Sequence, residues 1–191
     1  MTESRTSAGP NQPSPDESVT PAPFAAAVYV PRQPRGNALA RFIAGVKADG
    51  VRVGGMVQDV VLRDDGSRER IDTIDIATGK RIVINQSTNE SLRNHECSLD
   101  VAALTETTSV LRRAVDDGAE LIVVEKFGAK EAEGGGLSGD ILDVIAAGVP
   151  MLVAVPETSL DAWIERTGGL GAQIEFSEQA FRDWWAGTQQ R

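Results

Sequence analysis

Cysteine and histidine each occur once in the 191 residues, as Cys97 and His95. A single cysteine excludes an internal disulfide and fits a reducing compartment. One histidine, two positions from that cysteine, leaves no nucleophile–base pair from which a serine or cysteine triad can be argued. Basic residues are in deficit, 19 against 28 acidic ones, giving a net charge of −9. Such a field repels phosphate backbones and acidic lipid surfaces, so neither nucleic acid nor a membrane is an expected partner. No apolar run approaches the roughly 20 residues that cross a bilayer. The N-terminal segment also lacks the apolar middle of a secretory signal, and the expected location is the cytoplasm. Aromatic residues are scarce at 5%, yet two of the three tryptophans, Trp184 and Trp185, adjoin each other near the C-terminus. Adjacent residues do not share a helix face, so at least one is expected to pack the last helix onto the core.

What is present suits a globular domain. Hydrophobic residues make up 41% of the chain, enough for a core without staples. Residues 1–23 are rich in Pro, Ser, Thr and acid and contain no aromatic. They cannot bury enough surface to offset their ordering entropy, which predicts a disordered tail before a domain over 24–191. The apolar run FAAAVYV at 24–30 reads as a buried strand, followed by a loop over 31–37. Leu39, Phe42, Ile43 and Val46 then recur at helical spacing, with Gly50 as a stop. A second strand is expected over 51–58, and a hairpin over 71–77 and 81–85 around Thr78-Gly79-Lys80. A polar loop holding His95 and Cys97 leads to a helix over 99–117, capped by Ser98, with Leu99, Ala103, Leu104, Leu111, Ala114 and Val115 on its buried stripe. Strands over 120–128 and 150–155 alternate with further helices to the end of the chain. This order predicts an α/β fold: a mainly parallel sheet with helices on both faces and a β-hairpin insertion. Ligands of such sheets sit beyond the strand carboxyl ends, where the loops at 31–37 and 125–137 lie.

The first of those loops can be tested as a phosphate-binding loop. A working G-x-x-x-x-G-K-[ST] brings backbone N–H groups, a lysine and a magnesium-binding hydroxyl to the phosphates. This chain reads Pro31-Arg32-Gln33-Pro34-Arg35-Gly36-Asn37-Ala38. Gly36 survives; Asn37 stands for the lysine and Ala38 for the hydroxyl residue. The segments VRVGGMVQ, Asp75-Ile76-Ala77-Thr78-Gly79 and LRRAVDDGAELIVVEKFG follow it. In these the chain resembles the nucleoside-triphosphatase family of the human cancer-related type, over roughly 24–168 by pattern. The resemblance implies a P-loop nucleoside-triphosphatase-like fold with a degenerate Walker A motif. In that family the Walker B strand ends in Asp-Glu-x-Gly; here the matching residues are Glu125-Lys126-Phe127-Gly128. Lys126 has the wrong sign for a catalytic base, and with three contributors to phosphoryl transfer missing, robust hydrolysis is not expected.

A closer resemblance is to an uncharacterised bacterial family of unknown function whose members are often encoded beside molybdate-transport and molybdenum-enzyme genes. It rests on Gly54-Gly55-Met56-Val57-Gln58, Ala77-Thr78-Gly79-Lys80, Cys97-Ser98-Leu99-Asp100 and Lys126-Phe127-Gly128 with Glu131 and Gly134. Trp163 and Gly168-Gly169 add to it. That family has Asn before its Lys-Phe-Gly, where this chain has Glu125.

The candidate ligand-binding residues are Arg32, Arg35, Gly36, Asn37, Ala38, Lys126, Gly128 and Glu131. The free N–H groups of the first helix carry partial positive charge, and Arg32 and Arg35 stand in the loop before it. Lys126, on a strand expected to lie beside the loop, would return the charge lost at Asn37. Molybdate, tungstate or phosphate suits such a pocket, with a nucleotide as the other candidate ligand. The plain alternative is that the arginines are solvated and Lys126 pairs with Glu131. Glu125 and Cys97 are candidate metal ligands, Cys97 through the family resemblance and alongside His95. The Gly134–Gly136 loop reads either as a lid or as a simple connection. A protein partner would meet the tail or the last helix. Three readings stay open: a non-hydrolysing binding or accessory protein of molybdenum metabolism, a residual nucleotide-binding protein or weak nucleoside triphosphatase, and an interaction module whose ancestral site is empty.

Overall fold

The computed structural model describes residues 23–86 and 101–190. The expected tail up to residue 22, the loop with His95 and Cys97, and the Ser98 cap with Leu99 lie outside the described residues. The buried run Phe24–Tyr29 forms β1, and Ala38–Ala48 forms α1. Then come β2 (Val53–Leu62), β3 (Arg68–Asp75), β4 (Arg81–Gln86) and α2 (Val101–Asp116). After β5 (Leu121–Val124) follow a single turn, α3 (Ala129–Ala132), and α4 (Ser138–Ala146). The chain closes with β6 (Met151–Pro156), α5 (Leu160–Arg166), β7 (Ala172–Glu175) and α6 (Glu178–Gln189).

Seven strands form one sheet in the order β4-β3-β2-β5-β6-β1-β7. The five from β2 to β7 are parallel, and β3 and β4 add antiparallel strands at one edge. The sheet centre is near-continuously apolar because both its faces are covered: every residue of β6 is buried. On one face Phe42, Ile43 and Val46 of α1 and Phe181 of α6 pack against Ala25, Ala27, Val123 and Leu152. On the other, Leu111, Ile141 and Trp163 from α2, α4 and α5 cover Ala26, Ile122, Val124 and Val153. Trp184 and Trp185 are both half-buried and pack against the α1 side. No helix among the described residues is long and apolar enough to cross a membrane.

The expected β-hairpin is larger than the sequence pattern suggests. β2 runs past the predicted end at 58 to Leu62, and β3 starts at Arg68 rather than 71. Polar residues stay in strand conformation because the backbone ladder needs no buried side chain, and charge pairs support it. Arg81 bridges Asp59 at 2.8 Å and the buried Asp72 at 3.0 Å, tying three adjacent strands together. The turn between β2 and β3 closes through the Arg63 N–H donating to Ser67 O, at 2.8 Å.

Gly55 carries the closest backbone approach in the sheet. Its φ is +98°, and a Cβ there would lie 2.1 Å from the Val123 carbonyl oxygen. Gly55→Ala is therefore expected to lower stability by about 2–5 kcal/mol, adding backbone strain to overpacking. Gly139→Ala, inside α4 with nothing within 4 Å of the added methyl, should be neutral or stabilising by up to about 1 kcal/mol. Urea denaturation of both variants checks the contrast.

Candidate functional site

Loop 31–37 leaves β1 and enters α1 by two residues in left-handed conformation, Arg32 at φ +71° and Gly36 at φ +57°. Asn37 precedes the helix without a side-chain cap, and no acidic residue stands in the first turn. The head of α1 thus keeps its partial positive charge uncompensated by its own side chains. Ala38 is buried beneath the loop, whereas Arg32, Gly36 and Asn37 are exposed.

Arg35 turns back over the sheet edge. Its guanidinium lies 4.5 Å from the Tyr29 ring centroid and 5.3 Å from that of Phe176, at the ends of β1 and β7. One nitrogen, Nη2, stands 3.3 Å from Glu125 Oε1. The other, Nη1, is buried without a hydrogen-bond partner. Glu125 follows β5 with its side chain 16% exposed, and its Oε2 accepts from the Gln58 N–H at 2.6 Å. Burial pushes the Glu125 carboxyl above the usual carboxylate range, opposed by the Gln58 N–H and the Arg35 charge, while Asp59 adds to the rise. The Tyr29 hydroxyl is likewise raised by burial, and the nearby Arg35 opposes this.

β5, which ends at Val124 two residues before Lys126, does not lie beside the loop as expected. β6 stands between β1 and β5, because its uniformly apolar sequence suits the position buried on both faces. Arg35 and Glu125 therefore meet across the end of β6. The candidate residues divide between two clefts on opposite sheet faces. The first, about 480 Å³, is lined by Arg35, Gly36, Asn37 and Glu125, with Ile43 of α1 and Phe176 beyond. The second, about 330 Å³, is lined by Lys126, Gly128 and Glu131 together with Met56 and Thr73. Glu125 borders both. Arg32 and Ala38 line neither.

Glu131 holds the second loop in shape. Its carboxylate accepts from the Gly128 N–H at 2.8 Å and the Leu137 N–H at 3.3 Å. No ion pair joins it to Lys126 among the described residues. The glycine-rich stretch is anchored as well: the Arg166 guanidinium, which donates to Ala132 O at 2.9 Å, packs under Gly134. Among the described residues, no cluster of three or more His, Cys, Asp or Glu is placed to hold a metal ion, and Cys97 lies outside them. Sequence reasoning passed over Tyr29 and Phe176. Tyr29, the sole tyrosine and the last residue of its strand, offered a signal that went unused.

The profile of a protein family of unknown function, DUF2478, matches residues 24–184. The chain belongs to this family. The chain is also similar to a curated relative, molybdenum import ATP-binding protein ModC 2 of Bradyrhizobium diazoefficiens. The two are 35% identical over 173 residues, which is 91% of this chain but 19% of the relative. The chain thus spans about a fifth of that relative's length. Among solved structures, that of a human cancer-related nucleoside triphosphatase superposes with a TM-score of 0.64 at 17% identity, covering 87% of this chain and 96% of that one. This likeness establishes a P-loop nucleoside-triphosphatase-like α/β fold. Loop 31–37 joins β1 to α1.

Because Glu125 binds its proton more tightly in the fold, its contribution to stability is full below pH 4.5, its ordinary value, and is lost as the pH rises through the folded value. Glu125→Gln removes this dependence. The stability of the variant relative to the parent should therefore increase with pH across that window, as read by urea denaturation over a pH series. A relative stability that instead falls would make the Arg35 pair the larger effect.

Proposed function

We propose that this DUF2478 protein is a non-hydrolysing binding or accessory protein that holds a tetrahedral oxyanion, such as molybdate, tungstate or phosphate, at the head of α1. The observation that carries this reading is Arg35. Its guanidinium stands in the cleft lined by Gly36 and Asn37, with one buried nitrogen unsatisfied. A buried donor without an acceptor costs about 1–3 kcal/mol, which an anion's oxygen would recover. The uncapped helix terminus supplies further donors to the same anion. Arg35 takes the part that the lost lysine would have played, and Glu125 serves as an internal counter-ion until a ligand arrives.

Two lines support a connection to molybdenum. The similar segment of the Bradyrhizobium relative belongs to a much longer protein that bears the name of a molybdenum import ATP-binding protein. The motif set Gly54–Gln58 and Lys126-Phe127-Gly128 resembles a family encoded beside molybdate-transport genes. An accessory role, with a partner meeting the tail or α6, accords with both.

The residues present do not fit a magnesium–nucleoside triphosphate. Ala38 offers a buried methyl where magnesium needs a hydroxyl, Asn37 carries no charge, and the Glu125 carboxylate is engaged by Arg35 and Gln58. Residual nucleotide binding is the second reading, favoured by the shared fold.

Thermal-shift titration separates the two. Saturating molybdate, tungstate or phosphate at about 100 times Kd should add about 2.7 kcal/mol, a rise of roughly 5–10 °C in Tm for a chain of this size. Arg35→Ala should abolish the rise and Glu125→Gln should enlarge it, while Lys126→Ala, in the other cleft, should leave it intact. A larger rise with ATP and magnesium, or phosphate release above background, would favour the nucleotide reading.

A further inference from the structure

The second cleft has its own chemistry. Its floor is apolar, made by Met56 of β2, Ile71 of β3 and Val124 of β5, with Leu137 on the facing loop. Its volume of about 330 Å³ falls in the range of small-molecule sites. Thr73 lines the same floor at 1% exposure, and its hydroxyl has no hydrogen-bond partner. A polar atom left unpaired under an apolar cleft is uncommon in a finished core.

At the rim stands Lys126, which is exposed. The other cation lining this cleft, Lys130, has a carboxylate, Glu133, at 4.0 Å. Lys126 forms no ion pair among the described residues. The nearest acid along its loop, Glu131, is occupied by the Gly128 and Leu137 N–H groups. That staple also fixes the loop, so the cleft wall stands ready-made and closing it around a ligand costs little ordering entropy. Glu125, at the inner end, is turned to Arg35 and the Gln58 N–H. The positive charge of this cleft is thus concentrated at its mouth and its apolar surface at its floor.

We propose that this cleft binds an amphipathic organic anion: a flat apolar body lying over Met56, Ile71 and Val124, with a carboxylate, sulfonate or phosphate group at Lys126. This site is separate from the helix-head cleft and stands whether or not that cleft holds an oxyanion.

The test uses the full chain and the probe 1-anilinonaphthalene-8-sulfonate, an aromatic sulfonate of the stated chemistry, followed by its fluorescence under native conditions. One saturable site is expected. Ala129→Phe, which fills the cleft from an exposed position, should remove it. Lys126→Glu should weaken it by about tenfold or more. The variant Leu170→Ser, which takes exposed apolar surface from the loop before β7, away from this cleft, should leave it unchanged. Absence of a saturable site, or indifference to Ala129→Phe, would overturn the proposal. Loss in the Leu170 variant would show surface adsorption and overturn it equally. Binding abolished by Ala129→Phe but unmoved by Lys126→Glu would overturn the anionic assignment. The molybdate response should persist in both cleft variants, so failure here is distinguishable from failure at the helix head.

Discussion

Arg35 and Glu125 meet at 3.3 Å over the end of a strand that separates their own strands, and most of the site follows from that contact. The guanidinium packs against both Tyr29 and Phe176, whose rings meet edge to face, so it is held by rings as well as by charge. The carboxylate is anchored from its other oxygen by the Gln58 N–H. The pair therefore ties β1, β2, β5 and β7 together at the sheet's carboxyl edge. It also shapes the local electrostatics: one guanidinium nitrogen stays buried without a hydrogen-bond partner, and the Glu125 carboxylate is turned to Arg35 and the Gln58 N–H.

Such a pair in a half-buried site is not chiefly a source of stability. Desolvating two ions costs much of what their attraction returns, and the upward shift at Glu125 shows burial outweighing its favourable neighbours. What the pair supplies is position. It keeps a cation beside the head of α1 without a flexible side chain on the helix itself.

Much of the fold was legible in the sequence, for definable reasons. FAAAVY and MLVAVP are uniformly apolar because strands covered on both faces have no polar side. The stripe Leu39, Phe42, Ile43 and Val46 marks one face of α1, and those residues are buried. Less legible was the extension of β2 and β3 through VVL and RER. There the backbone ladder and the Arg81–Asp72–Asp59 charges decide the conformation, and neither leaves a periodic apolar signal. Strand order was the other gap. Local pattern does not state that β6 enters between β1 and β5, so the sequence placed Lys126 at the loop when it belongs to the opposite face. Arg35 and Gly36 were recognisable from their offset within the loop. Tyr29 and Phe176 were not, since their function depends on a contact between residues 147 positions apart in sequence numbering that only the pairing of β1 with β7 creates.

The alternation of side chains at the end of β5 explains why one fold edge carries two clefts of different character. Successive residues of an extended chain point to opposite faces. Val124 belongs to the core under α2, Glu125 reaches the edge toward Arg35, and Lys126 returns to the α2 side. The Glu125-Lys126 pair thus divides its charges between the two faces. It sends an acid toward the helix-head cleft and a cation toward the other cleft. The carboxylate at the boundary of the two clefts is paired with Arg35, so the acid and the cation that adjoin in sequence answer to different partners in space.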